Sequence, residues 1–198
     1  MKIDINDSYI DICKNGKTIR ISPKHIVYVR DIVIDFDLYT SAINFESGIL
    51  DFSVPKEHNI IGFGKAVLPA FIEPISSVGY YLNFAQLSRG MTVLDLGAFA
   101  GIASISFSNT VGDDGKVISV EADPQNYECA VQNIKAYNRN NIILHNGAVW
   151  THNRGVWFSS DGAMGSATVD NVGERGNVIE IPSFTLNDLS NGLKEINF

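Results

Sequence analysis

Cysteine is scarce in this chain. Cys13 and Cys129 are the two among 198 residues, far apart and in no Cys-x-x-Cys spacing, so neither a disulfide framework nor a zinc site has support and a reducing cytoplasm is the expected compartment. Positive charge is in short supply as well: 15 Lys and Arg stand against 22 Asp and Glu, for a formal net charge of −7. The basic residues are scattered, which leaves no electrostatic footprint for nucleic acid or an anionic membrane. Long apolar runs are also missing. The most apolar stretch, residues 60–75, is broken by Lys65, Pro69, Glu73 and Pro74, and the first residues show no basic region followed by an apolar core. Neither a signal peptide nor a membrane-spanning helix is expected. What is present is 45% hydrophobic and 19% charged residues, enough for one domain with a substantial core and a smaller appendage.

Residues 1–70 read as a β-rich segment. Ile3-Asp-Ile-Asn and Tyr9-Ile-Asp-Ile-Cys alternate apolar with polar, Asn15-Gly16 is a hairpin dipeptide, and Lys17-Thr-Ile-Arg-Ile resumes the alternation. His25-Ile-Val-Tyr-Val and Asp31-Ile-Val-Ile-Asp-Phe read as its continuation, Asp51-Phe-Ser-Val-Pro closes the meander, and Ile60-Ile-Gly-Phe-Gly follows as a loop or short strand. Residues 71–198 read as a second domain. Phe71, Ile72, Ile75, Val78, Tyr81, Leu82, Phe84 and Leu87 are spaced for a helix, with Ser76 or Ser77 as its cap after Pro74.

From Met91 the pattern changes. Val93 and Leu94 mark a buried strand, Asp95 and Gly97 a turn, and the small residues after Gly101 a helix. Lys116-Val-Ile-Ser-Val-Glu is a second strand. Asp123-Pro124 opens a second helix, with the carboxylate at the cap and proline at the first helical position, and Ile142-Ile-Leu-His is a third strand. Strands alternating with helices imply a parallel α/β sheet, because right-handed crossovers leave little else. Val156-Trp-Phe-Ser and Val178-Ile-Glu-Ile read as an excursion hairpin, and residues 183–189 as a short capped helical turn. A sheet of three parallel strands leaves its first strand with an open edge. The expectation is either an N-terminal piece of a longer chain or a second copy covering that edge.

Ligands of open α/β sheets sit at the carboxyl ends of the strands. Three loops emerge there, at residues 95–101, 121–123 and 146–149. Asp95 offers oxygens to a cation or a hydroxyl, and Glu121, twenty residues after Gly101, stands where a carboxylate accepts ribose hydroxyls. An adenosine-containing ligand is implied. Gly97, Phe99 and Ile102 occupy the three glycine places of a dinucleotide fingerprint, so that pattern fails. A carboxylate at position 95 would repel a pyrophosphate but suits the cationic end of S-adenosylmethionine. The plainer readings are a strand-end cap for Asp95, close helix packing for Gly97 and Gly101, and a solvated strand end for Glu121.

The blocks Val93-Leu-Asp-Leu-Gly-Ala-Phe-Ala-Gly, Gly115-Lys-Val-Ile-Ser-Val-Glu-Ala-Asp-Pro-Gln-Asn-Tyr and Asn146-Gly-Ala-Val resemble the first three conserved blocks of class I S-adenosylmethionine-dependent methyltransferases. More narrowly they resemble the FkbM type, whose members are mostly O-methyltransferases of sugar and polyketide hydroxyls. Asp51-Phe-Ser-Val-Pro and Ile181-Pro-Ser-Phe-Thr-Leu-Asn-Asp-Leu extend the likeness over most of residues 35–190. The resemblance implies a Rossmann-like sheet, here its N-terminal half, preceded by the β-rich leader. It implies S-adenosylmethionine as cofactor. Asp95, Gly97, Ala98 and Gly101 would cradle the methionine part with Phe99 beside it, Glu121 the ribose, and Ala122, Asn146, Gly147 and Ala148 the adenine. The family's fourth strand, which completes the acceptor site, has no counterpart before Phe198. His145 and His152 lie near the third strand end without the setting of a general base, so no catalytic residue is assigned. The expected activity is O-methylation of a small molecule or glycan, without metal, nucleic acid or membrane. The alternatives are a nicotinamide-dependent oxidoreductase with a degenerate fingerprint and a non-catalytic binding module.

Overall fold

The computed structural model describes residues 1–71, 75–163, 165–169 and 177–198. Two compact units are present, Met1–Ser77 and Val78–Phe198.

In the first unit β1 (Lys2–Ile5), β2 (Ile10–Lys14) and β3 (Lys17–Ile21) form the expected antiparallel meander across the Asn15-Gly16 turn. The alternation decides its faces: Ile10, Ile12, Ile19 and Ile21 are fully enclosed, while Arg20 grips Asp11 through two 2.7 Å bonds and lies 3.7 Å from the Tyr9 ring centre. The continuation of the meander is corrected. Residues 23–42 are helical, as a 3-10 helix (Pro23–Tyr28), α1 (Val29–Ile34) and α2 (Phe36–Ala42). Pro23 fixes the first helical φ, and the buried positions His25, Ile32, Phe36 and Tyr39 recur at helical rather than strand spacing, with Ile26, Val27 and Ile34 left in solvent. β4 (Ile43–Asn44) follows. β5 (Ile49–Phe52) then joins β3 in parallel, and β6 (Lys56–Ile60) and β7 (Gly64–Leu68) form a second hairpin.

Most of α3 (Ile75–Ala85) belongs to the second unit; the helix already contains Ser76 and Ser77, so neither caps it, and Ile72 and Pro74 lie outside the described residues. β8 (Thr92–Leu96), α4 (Ile102–Val111), β9 (Lys116–Glu121), α5 (Pro124–Ala136) and β10 (Ile142–Asn146) build the parallel sheet in the order β10-β9-β8. This is the Rossmann-like arrangement. β9 is central, and its residues from Val117 to Glu121 are all buried. β11 (Ala148–Val149), β12 (Val156–Ser160), β13 (Ala167–Thr168), β14 (Asn177–Ile181), β15 (Ser183–Phe184) and α6 (Leu186–Ser190) complete the chain. β12 and β14 pair antiparallel as the expected excursion, and Thr185 with Asp188 forms a capping box for α6.

The edge of β8 is not bare. Asn197 N–H donates to the Thr92 carbonyl at 2.9 Å and Leu94 N–H to the Phe198 carbonyl at 2.7 Å, so the last residues lie along the strand in its own direction. The expectation of an uncovered edge is thus corrected for these residues.

Candidate cofactor site

The strand register brings the two acidic residues together. Asp95 on β8 pairs with Ser119 on β9, so Glu121 at the end of β9 lies two positions further along the neighbouring strand. Between them the chain leaves β8 through Gly97 and Ala98, whose N–H groups both donate to the Val120 carbonyl at 2.9 and 3.0 Å. Gly97 has φ +99°, and a Cβ built there meets no atom within 4 Å. Packing therefore does not require this glycine; its backbone conformation does, and it leaves open space beside the loop. Gly101, with φ +77°, differs: its Cβ would stand 3.4 Å from Ala130 on α5, so its smallness lets α4 and α5 approach.

Asp95 accepts a hydrogen bond from the Ser104 hydroxyl, and Ser119 donates to Ser104 at 2.9 Å. Part of the residue reaches the surface, but protein atoms crowd its carboxylate, and this burial pushes its pKa up against the opposing effect of Ser104. Among the described residues a single side-chain hydroxyl, that of Ser104, bonds this carboxylate, and a cation would relieve it. Ser104 and Ser119 are members of the site that residue patterns did not reveal, because each reads as an ordinary small residue of a helix or strand.

Glu121 is 6% exposed. Its Oε2 accepts the Phe99 N–H at 2.7 Å, and its Oε1 accepts the Asp123 N–H at 2.9 Å and the Asn126 amide at 3.4 Å. A carboxylate has about four acceptor positions, so roughly one remains for a ligand hydroxyl, and a second opens if the long Asn126 contact yields. Burial drives the Glu121 pKa up to about 7, beyond what these hydrogen bonds recover. Phe99 reaches its partner from a left-handed conformation, φ +51°. It is half-buried, and its N–H is already committed to Glu121.

The third loop is used differently. Asn146 is exposed at the end of β10, opposite Glu121 in register. Gly147 N–H donates to the Glu121 carbonyl at 2.9 Å, and a Cβ at Gly147 would stand 2.5 Å from the Pro182 carbonyl oxygen. Ala148 is buried with Phe158 and Ile181, and Ala122 packs against the same cluster. Their methyl groups thus face the excursion strands. His145 packs on Phe184 at 5.2 Å and His152 Nδ1 accepts the Arg154 N–H at 3.4 Å, so both are engaged in local structure. Among the described residues no group of three or more His, Cys, Asp and Glu side chains could hold a metal ion.

Residues 57–154 match the model of the family "Protein-L-isoaspartate(D-aspartate) O-methyltransferase (PCMT)". A probable cobalt-precorrin-6B C(15)-methyltransferase (decarboxylating) of Sulfolobus acidocaldarius is 35% identical over 66 residues, 33% of this chain and 34% of that protein. A protein-L-isoaspartate O-methyltransferase of Ignicoccus hospitalis is 30% identical over 95 residues, 46% of this chain and 45% of that protein. The chain thus spans less than half the length of either curated relative. Among solved structures, a precorrin-6y C5,15-methyltransferase from Geobacter metallireducens aligns at a TM-score of 0.36 and 24% identity, over 38% of this chain and 40% of that one. The matched family model is the isoaspartate type and the curated relatives are named for isoaspartate and precorrin methylation, not for the FkbM type; what these share with it is the broader class and its cofactor, S-adenosylmethionine. Over the matched residues the chain is similar to class I S-adenosylmethionine-dependent methyltransferases.

Proposed function

We propose that this chain transfers the methyl group of S-adenosylmethionine to an oxygen of a small molecule or glycan. The observation that carries the reading is the pair Asp95 and Glu121 on adjacent strand ends, with the open space at Gly97 between them. The cofactor, when bound, supplies a methyl group on a positively charged sulfur. Asp95 offers that end of the molecule a crowded carboxylate that has no cationic partner among the described residues. Glu121 offers the ribose its spare acceptor position, and Ala98 and Phe99 line the turn between the two acids. These residues fit the group without rearrangement of the strands. The chain's own contribution to rate would be positioning, since an in-line displacement needs the acceptor oxygen held roughly 3 Å from the methyl.

A hydroxyl acceptor is supported by the FkbM-type resemblance, which extends beyond residues 57–154 into the segment closed by the Thr185 capping box. A second reading has an observation of its own. The family model matched over residues 57–154 and the Ignicoccus relative are named for isoaspartyl O-methylation, and a carboxylate acceptor, ionised at neutral pH, needs no general base.

Calorimetric titration of the 198-residue chain with S-adenosylhomocysteine, and separately with NADH, tests the cofactor reading. Binding of the first and not the second is expected, and the reverse would return the oxidoreductase alternative. Tritiated methyl transfer to an oligosaccharide or to an isoaspartyl peptide then separates the acceptors. A methyl ester releases volatile methanol in mild base; an ether does not.

A further inference from the structure

The excursion after β11 carries more hydrogen bonds to the cofactor loops than a surface hairpin needs. Asp123 is fully enclosed and caps α5, its Oδ1 accepting the N–H groups of Gln125 and Asn126 at 2.9 and 3.3 Å. Its other oxygen is turned away from the helix. There Oδ2 accepts the Ser160 hydroxyl at 2.7 Å, the Gly162 N–H at 2.9 Å and the Ser166 hydroxyl at 2.7 Å. The helix supplies the reciprocal bonds, from the Gln125 amide to the Gly162 carbonyl at 3.2 Å and from the Asn126 amide to the Ala163 carbonyl at 3.3 Å. Asn126 joins this loop to the ribose acid, because the same amide nitrogen lies 3.4 Å from Glu121 Oε1. Asn126 is 3% exposed, and among the described residues its amide oxygen has no donor.

A helix cap is satisfied by one oxygen and two N–H groups. The three further donors on Asp123 and the two amides on backbone carbonyls fasten Ser160, Gly162, Ala163 and Ser166 to the first turn of α5, directly after the Glu121-Ala122 step. On the same side, Phe158 and Ile181 of the excursion cover Ala122 and Ala148. The excursion therefore borders the loops at residues 121–123 and 146–149, which the resemblance assigns to the ribose and the adenine.

We infer that residues 158–163 and Ser166 form the adenine-side wall of the cofactor site, clasped by Asp123, and that Asn126 is a positioning residue that couples this wall to Glu121. The inference rests on the cofactor reading above. The wall is shape and rigidity rather than chemistry. It fixes how far the base swings from the ribose, and it has no part in holding the methionine end.

The test compares two ligands on the full chain, S-adenosylhomocysteine and adenosine, which lacks the amino-acid end. Ser160→Ala with Ser166→Ala removes two bonds to Asp123 Oδ2 while sparing the α5 cap, and Asn126→Ser removes the amide that bridges the Ala163 carbonyl and Glu121. Each variant is expected to weaken both ligands by a similar factor, about 5- to 30-fold. Asp95→Asn is expected to weaken S-adenosylhomocysteine while leaving adenosine nearly unchanged. Hydrogen exchange on the unmodified chain provides a check that no folding defect can confuse: the Gly162 and Ala163 amides should slow on adding adenosine. Full retention of both affinities in the serine variant, or Gly162 and Ala163 exchange unmoved while the Phe99 amide slows, overturns the wall. Failure of the unmodified chain to bind S-adenosylhomocysteine overturns the cofactor reading itself.

Discussion

A buried carboxylate costs the fold something, and at Glu121 the cost has a pH signature. Its pKa of about 7 in the folded chain exceeds the ordinary 4.5, so the native state holds the proton more tightly than the unfolded chain between those values. Stability contributed by that proton is complete below about pH 4.5 and lost as pH rises through about 7, a swing of up to roughly 3 kcal/mol at 1.36 kcal/mol per pKa unit. Asp123, whose pKa is lowered by its hydroxyl and backbone partners, acts in the opposite sense and at lower pH. Glu121→Gln is therefore expected to gain stability over the parent at pH 7.5 relative to pH 5.5, read from urea unfolding at both values. The same variant should bind S-adenosylhomocysteine at least tenfold more weakly at pH 7.5, through loss of a charged acceptor worth about 1.5–3 kcal/mol. In the parent, that affinity should rise with pH through about 7 as Glu121 ionises, and in the variant this dependence should flatten. A variant that binds equally well would remove Glu121 from the site.

At the scale of elements, Gly147 shows what patterns along the chain conceal. It reads as part of an adenine loop, yet its contacts make it the point where β10 turns toward β11, which pairs with β15 from far along the sequence. A methyl group there would press on the Pro182 carbonyl oxygen at 2.5 Å and the Phe184 ring at 2.8 Å, from φ +155°. Gly147→Ala is thus expected to destabilise by about 2 kcal/mol or more, through overpacking and an unfavourable backbone conformation. Gly97→Ala, with no atom in reach, should cost only the backbone strain, about 1 kcal/mol. Paired unfolding curves decide this; equal effects would mean that the Pro182 contact relaxes freely. The same contrast explains how much could be read in advance. The three parallel strands, α5 with its Asp123 cap, and the Asp95 to Glu121 spacing follow from local periodicity and turn chemistry. The helices over 23–42 did not, because Ile, Val, Tyr and Phe favour strands locally while burial of Ile32, Phe36 and Tyr39 on one side favours a helix. Ser104, Ser119, Asn126, Ser160 and Ser166 were invisible for another reason. Their roles exist only through partners 5 to 43 residues away.

At the largest scale, residues 197 and 198 lie along the outer edge of β8 in the parallel sheet. Besides the two backbone bonds, the Asn197 side-chain oxygen accepts the Thr92 N–H at 2.8 Å. The Phe198 ring lies 5.8 Å from Phe107 and 6.3 Å from Phe84. Three hydrogen bonds at about 0.5–1.5 kcal/mol each, together with a half-buried aromatic ring, make this contact worth roughly 3–5 kcal/mol. Removing residues 196–198 should lower the unfolding free energy by that amount and leave Thr92 and Leu94 as unpaired strand-edge groups, a template for association. Phe198→Ala keeps the backbone in place and should cost about 1–2 kcal/mol, without association. Urea unfolding with analytical ultracentrifugation on both proteins separates the contributions. If the deletion costs no more than the single substitution and stays monomeric, the ring alone holds the tail and the strand edge tolerates water. If it costs more and self-associates, the backbone pairing at β8 is what keeps that edge from another chain.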